Sequence, residues 1–121
     1  MSTVLAGKRI LIVEDEFMIA ILLEDMLTEL SCTVAGISAN PAQAFELIGS
    51  AEIDAAVLDV NLDGDDSFAV AAALLERRIP FIFATGYGAS RLPQGLAGHP
   101  VVQKPYRLEE LSRALSKLHT P

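Results

Sequence analysis

Glu14, Asp15 and Glu16 follow one another directly after a short apolar run. Asp59 lies at the end of a second such run, Thr85 sits before a glycine, and Lys104 sits before a proline. Hard carboxylate oxygens suit Mg²⁺, which keeps several waters and takes one or two carboxylates plus a phosphate. A carboxylate such as Asp59 can also act as a nucleophile and accept a phosphoryl group as an acyl phosphate. A lysine ammonium pairs with one phosphoryl oxygen, and a threonine hydroxyl donates to another. These residues are distant in sequence, so the chemistry exists only if the fold gathers them. Each alone has a plainer use: Asp15 as the N-cap of a following helix, Asp59 or Thr85 as a turn residue.

The elements that must position them are legible as short apolar, β-branched runs alternating with longer helical patterns. Residues 9–13, 32–37, 54–60, 79–84 and 101–104 read as strands. The first does not alternate with polar residues, which marks a strand buried on both faces. Residues 17–30 read as a helix with an inner stripe at Ile19, Leu22, Leu23, Met26, Leu27 and Leu30. Asn40 and Pro41 start a second helix that runs to about Ile48, with Gly49 placed to stop it. Asp65 or Asp66 caps a third over residues 67–77, and residues 107–118 form the last. Between Thr85 and Val101 lie four glycines and two prolines, so a fourth helix there is short or mobile. This alternation predicts an α/β protein: a three-layer, doubly wound, five-stranded parallel sheet in the flavodoxin-like order 2-1-3-4-5.

Ligands of such a sheet bind beyond the carboxyl ends of the strands, where the strand order reverses. Strand one ends in Glu14-Asp15, strand three in Asp59, strand four in Thr85-Gly86 and strand five in Lys104-Pro105. Glu14, Asp15 and Asp59 then crowd one crevice, with Thr85 and Lys104 on its rim. Two like charges about 4 Å apart repel by roughly 4 kcal/mol at an effective dielectric of about 20. A single lysine does not balance three carboxylates, and a divalent cation offsets the rest. The coincidence at the ends of separate strands is the signal, not any one residue.

Composition bounds the function. The chain has 121 residues, enough for one ordinary domain over 1–121 with no output domain. Its net charge of −7 argues against a nucleic acid partner and against an anionic membrane surface. The one cysteine, Cys32, allows no internal disulfide and no multi-cysteine zinc site, and reads as a small buried hydrophobe. His99 and His119 read as surface residues. No run approaches the roughly 20 apolar residues of a spanning helix. The N-terminus lacks the pattern of a signal peptide, so the expected location is cytoplasmic.

The motifs Lys8-Arg-Ile-Leu-Ile-Val-Glu-Asp-Glu16, Val57-Leu-Asp-Val-Asn61, Ala84-Thr85 and Gln103-Lys-Pro-Tyr106 together resemble the receiver domain of two-component response regulators. The resemblance covers nearly the whole chain. It implies that Asp59 is phosphorylated by a phosphohistidine on a histidine kinase or phosphotransfer protein. It implies that Glu14, Asp15, Asp59 and the backbone carbonyl of Asn61 hold Mg²⁺, with Mn²⁺ as a substitute. It implies further that Thr85 swings toward the phosphoryl group and that Lys104 pairs with it. Such a protein catalyses only its own phosphorylation and dephosphorylation, and passes its signal to a downstream protein target. Phe81-Ile-Phe-Ala-Thr-Gly-Tyr87 is similar to a subgroup of receivers with a Phe-Ala-Thr-Gly-Tyr signature. Val101 stands where most receivers carry an aromatic switch, and Tyr87 is the aromatic expected to replace it. Ile19, Leu22, Pro105 and Tyr106 occupy positions that dock the phosphodonor in the family. Met18, outside the inner stripe of the first helix, joins them. Two other functions compete. A small Mg²⁺-dependent phosphohydrolase with an aspartyl nucleophile, like the haloacid dehalogenase group, would use similar residues but resembles Asp-x-Asp after the first strand. A flavodoxin-like flavin carrier would need a Ser/Thr/Gly-rich phosphate loop where this chain has three acids.

Overall fold

A computed structural model of the chain describes residues 5–62, 65–86 and 98–118. The elements in order are β1 (Arg9–Val13), α1 (Phe17–Glu29), β2 (Thr33–Ser38), α2 (Pro41–Ser50), β3 (Ala55–Asp59), β4 (Asn61–Leu62), β5 (Asp65–Asp66), α3 (Phe68–Glu76), β6 (Phe81–Thr85), β7 (Val101–Gln103) and α4 (Leu108–Ser116). The main sheet runs β2-β1-β3-β6-β7, all parallel. That is the flavodoxin-like order expected from the alternation.

Two apolar layers sandwich the sheet. Ile10, Ile12, Val57, Ile82 and Val102 face α1 and α4, against Leu23, Leu27, Leu111 and Leu115. Leu11, Val13, Leu58 and Phe83 face α2 and α3, against Ala44, Ile48, Val70 and Leu74. Successive strand residues point to opposite faces, which is why the buried strands carry continuous apolar runs. Each fully buried Leu or Ile contributes roughly 1.5–3 kcal/mol. Cys32 lies buried among them, as expected.

Several local expectations need correction. The helix α2 starts as expected: Asn40 Oδ1 accepts from Gln43 N at 2.9 Å, and Gln43 Oε1 accepts in return from Ala39 N at 2.8 Å. It does not stop at Gly49 but runs to Ser50. Gly49 has open space around it, so only its propensity cost of about 1 kcal/mol opposes the two extra residues. Asp65 and Asp66 do not cap α3; they pair antiparallel with Asn61 and Leu62, and the N-cap is Ser67. In α1 the inner face is turned relative to the expected stripe. Ala20 is buried, whereas Leu22 is 47% exposed. His99 is not a plain surface residue: it is half-buried and stacks on Phe81 with ring centroids 4.6 Å apart. The expected fourth helix and Tyr87 fall on residues 87–97, and His119 on 119–121, all outside the described residues. Among the described residues no helix is long and apolar enough to cross a membrane.

Candidate functional site

Strand register alone gathers the acids. Val13 of β1 pairs with Leu58 of β3, so Glu14 and Asp59, each one residue further on, lie side by side. Asp59 pairs with Ala84 and Thr85 with Gln103, which brings Thr85 and Lys104 to the same end of the sheet. Alternation then sets direction. Ile12 and Val57 face the α1–α4 layer, and Glu14 and Asp59 follow each by two residues, so they point to that same side.

Backbone bonds hold these strand ends. Glu14 N donates to Ser38 O at 2.9 Å, Val60 N to Ala84 O at 3.0 Å, and Lys104 N to Thr85 O at 3.1 Å. Ser38 is fully buried and its hydroxyl donates to Ile12 O at 3.2 Å, which ties the end of β2 to β1 just before Glu14. No motif pointed to Ser38; a lone serine at a strand end carries no sequence signal.

The side chains meet in a crevice lined by Asp15, Glu16, Asp59, Asn61, Thr85, Gly86 and Lys104. Glu14 is 1% exposed, Asp59 5% and Thr85 2%, while Asp15 is half-buried. One oxygen from each of Glu14, Asp15 and Asp59 lies within 4.8 Å of the others. Lys104 Nζ stands 2.9 Å from Glu14 Oε1 and 3.1 Å from Asp59 Oδ2. Its contact with Asp59 is a hydrogen bond. Its contact with Glu14 is an ion pair with a nearly buried carboxylate. Glu14 Oε2 accepts from Glu16 N at 3.2 Å, and Asp59 Oδ1 from Asn61 N at 3.4 Å.

The electrostatics follow from this crowding. Burial, and then the nearby Asp59, push the Glu14 carboxyl up to about 7, against the pull of Lys104. Burial alone would lower Lys104, but Glu14 and Asp59 together raise it. The group therefore holds more negative charge than its one cation balances. Three converging carboxylate oxygens, two of them buried, are a donor set that fits Mg²⁺. The expected coincidence of Glu14, Asp15, Asp59, Thr85 and Lys104 is thus present, with the Asn61 backbone beside Asp59.

The other expected site residues are placed as follows. Met18 is 78% exposed, Pro105 is exposed and Ile19 is half-buried. Val101 is half-buried against the α2–α3 layer. Tyr106 is buried in the α1–α4 layer and does not form part of the exposed face of α1.

Residues 10–116 match the family model of the response regulator receiver domain. The chain is 40% identical over 121 residues to the transcriptional regulatory protein TcrA of Mycobacterium tuberculosis, covering 93% of this chain and 47% of that protein. It spans half or less of the length of the curated relatives it matches. The solution structure of SdrG from Sphingomonas melonis Fr1 superposes with a TM-score of 0.81 at 44% identity, covering 96% of this chain and 97% of that one. The receiver domain of a sensor histidine kinase from Pseudomonas aeruginosa PAO1 superposes with a TM-score of 0.74 at 27% identity, covering 93% and 97% of the two chains. That structure holds a magnesium ion coordinated in its active-site cleft.

Proposed function

The chain belongs to the response regulator receiver domain family, and from that premise we propose that it is a phospho-accepting switch in a two-component phosphorelay. Asp59 attacks the phosphorus of a phosphohistidine on a histidine kinase or phosphotransfer protein. A carboxylate oxygen–phosphorus bond forms, the nitrogen–phosphorus bond breaks, and the imidazole leaves. Glu14, Asp15, Asp59 and the Asn61 carbonyl would hold Mg²⁺, or Mn²⁺, which suits the same oxygen donors. When bound, the ion orients the phosphoryl group and screens its charge. Lys104 already lies at Asp59 and pairs with a phosphoryl oxygen, and the Thr85 hydroxyl meets another. The new charge favours one arrangement of the surrounding loops, which changes what the protein binds.

The phosphodonor docks beside the crevice on Met18, Ile19, Leu22 and Pro105. Tyr87 of the Phe-Ala-Thr-Gly-Tyr signature takes over the readout, because Val101 offers no aromatic ring. The output is a contact with a downstream protein in the cytoplasm. The observation that carries this reading is Lys104 Nζ bridging Glu14 and Asp59 beside three convergent carboxylate oxygens. It is tested by incubation with acetyl phosphate and Mg²⁺ followed by mass spectrometry. A stable gain of about 80 Da, one phosphoryl group, absent from Asp59→Ala, is expected. Steady consumption of the donor with no adduct would instead favour the aspartyl phosphohydrolase.

A further inference from the structure

Asp15, Glu16 and Asp59 line the crevice, and Lys104 is the one cation that lines it among the described residues. Glu14, Asp15 and Asp59 bring oxygens within 4.8 Å of one another, and Glu16 stands outside that group. Its backbone is held on both sides: Glu16 N donates to Glu14 Oε2 at 3.2 Å, and Glu16 O accepts from Ala20 N at 3.0 Å. Its side chain is exposed, makes no capping bond to α1 and pairs with no cation among the described residues. A negative charge here favours the amino end of α1, but an aspartate would supply the charge and the capping bond together. The carboxylate of Glu16 is thus fixed at the mouth of the crevice and left unused by the helix.

A divalent cation on the cluster, together with Lys104, offsets the charges of Glu14, Asp15 and Asp59. Glu16 is then the negative charge left over. The docking side supplies nothing to cancel it. From Ile10 to Glu76 the sequence contains no lysine, arginine or histidine, and the exposed face of α1 runs from Met18 and Leu22 to Asp25 and Glu29. A phosphoryl donor arrives as an anion, so this mouth repels it unless the donor carries a compensating cation. Resting on the phospho-acceptor reading, we propose that Glu16 selects the phosphodonor by charge: it slows small dianionic donors and favours one that presents a lysine or arginine beside its phosphohistidine. Glu16 is a specificity-determining residue that acts on the approach of the donor and not on the exchange of bonds at phosphorus.

The test compares two donors of different charge at saturating Mg²⁺ near neutral pH, with the Asp59 adduct followed by mass spectrometry. Acetyl phosphate is a dianion; its phosphorus–oxygen bond breaks as the Asp59 oxygen–phosphorus bond forms, and acetate leaves. Phosphoramidate carries an ammonium nitrogen on its phosphorus and one net negative charge; its phosphorus–nitrogen bond breaks, and ammonia leaves. Glu16→Gln is expected to speed acetyl phosphate about fivefold and phosphoramidate about twofold. Glu16→Lys is expected to widen that gap. Salt at about 1 M, where charges are screened beyond about 3 Å, should erase it. A binding readout accompanies the rates: beryllofluoride, an anion followed by amide shifts in NMR, should half-saturate Glu16→Gln at about half the wild-type concentration. An equal change with both donors, or no change with either, overturns the proposal, while adduct formation leaves the phospho-acceptor reading standing. So does a Glu16→Gln chain that needs more Mg²⁺ and reacts more slowly with both donors, since Glu16 would then serve the ion. If the wild-type chain forms no Asp59 adduct with either donor, the phospho-acceptor reading falls and this proposal falls with it.

Discussion

The two ends of the strand pair β1 and β3 handle charge in opposite ways. At the amino end, Arg9 meets Asp54 three times: its backbone N–H at 2.8 Å, Nε at 2.9 Å and Nη2 at 3.1 Å, with Glu52 also paired to the guanidinium. Arg9, Glu52 and Asp54 are all paired there, and Arg9 holds the Asp54 carboxyl below its usual range. At the carboxyl end, Lys104 is shared between two buried carboxylates, and a third stands beside them. There the Glu14 carboxyl is pushed up instead. The same two strands thus carry a satisfied clamp at one end and a frustrated cluster at the other. The clamp and the two apolar layers stabilise a register that forces the acids together; the cluster alone would repel itself apart. A carboxyl perturbed by burial and a neighbouring carboxylate, as Glu14 is, marks a candidate functional site.

The comparison is broken most completely at Asp59. Asp59→Asn is expected to abolish the phosphoryl adduct in mass spectrometry and yet to raise the unfolding free energy by about 1 kcal/mol in urea titrations, because it removes a like charge. A loss of stability would show that the cluster supports the fold. Next in size is the response to metal. Mg²⁺ at about one hundred times its dissociation constant should stabilise the folded chain by roughly 2.7 kcal/mol. Asp15→Asn should remove most of that gain, as read by thermal unfolding with and without EDTA.

The third effect is on pH. Glu14 has a folded-state pKa raised above its unfolded value. Its contribution is therefore fully present below the unfolded pKa and is lost as pH rises toward and past about 7. In EDTA, Glu14 should make the chain more stable at pH 5.5 than at pH 8, by on the order of 2 kcal/mol, and Glu14→Gln should flatten the difference. Asp54 has the opposite sign: its depressed pKa stabilises above the unfolded value and fails as pH falls through the folded one. The smallest effect is at the clamp. Asp54→Ala should cost about 1 kcal/mol, chiefly the acceptor for Arg9 N, and should leave adduct formation unchanged.

What was legible in the sequence tracks what is local or apolar. The β1 run and the order of the five main strands were readable because strands buried on both faces announce themselves as continuous β-branched runs. The cluster of Glu14, Asp15, Asp59, Thr85 and Lys104 was readable because each residue terminates such a run. The clamp was not, since Arg9 and Asp54 are 45 residues apart and either reads as a solvated charge. The start of α3 at Ser67 was hidden behind Asp65 and Asp66, which are good caps by residue type, whereas the Ser67 side chain makes no capping bond. Leu22 and Ala20 changed places because residue size, not periodicity alone, led the choice of inner stripe. The resemblance puts Tyr106 among the docking positions, whereas its burial in the α1–α4 layer is set by packing that no spacing encodes.

One backbone bond has a mechanical consequence. The amide of Lys104 hangs on the carbonyl of Thr85, so the two side chains proposed to grasp a phosphoryl group share a hinge. A shift of either strand end therefore drags on its neighbour through one hydrogen bond at the mouth of the sheet.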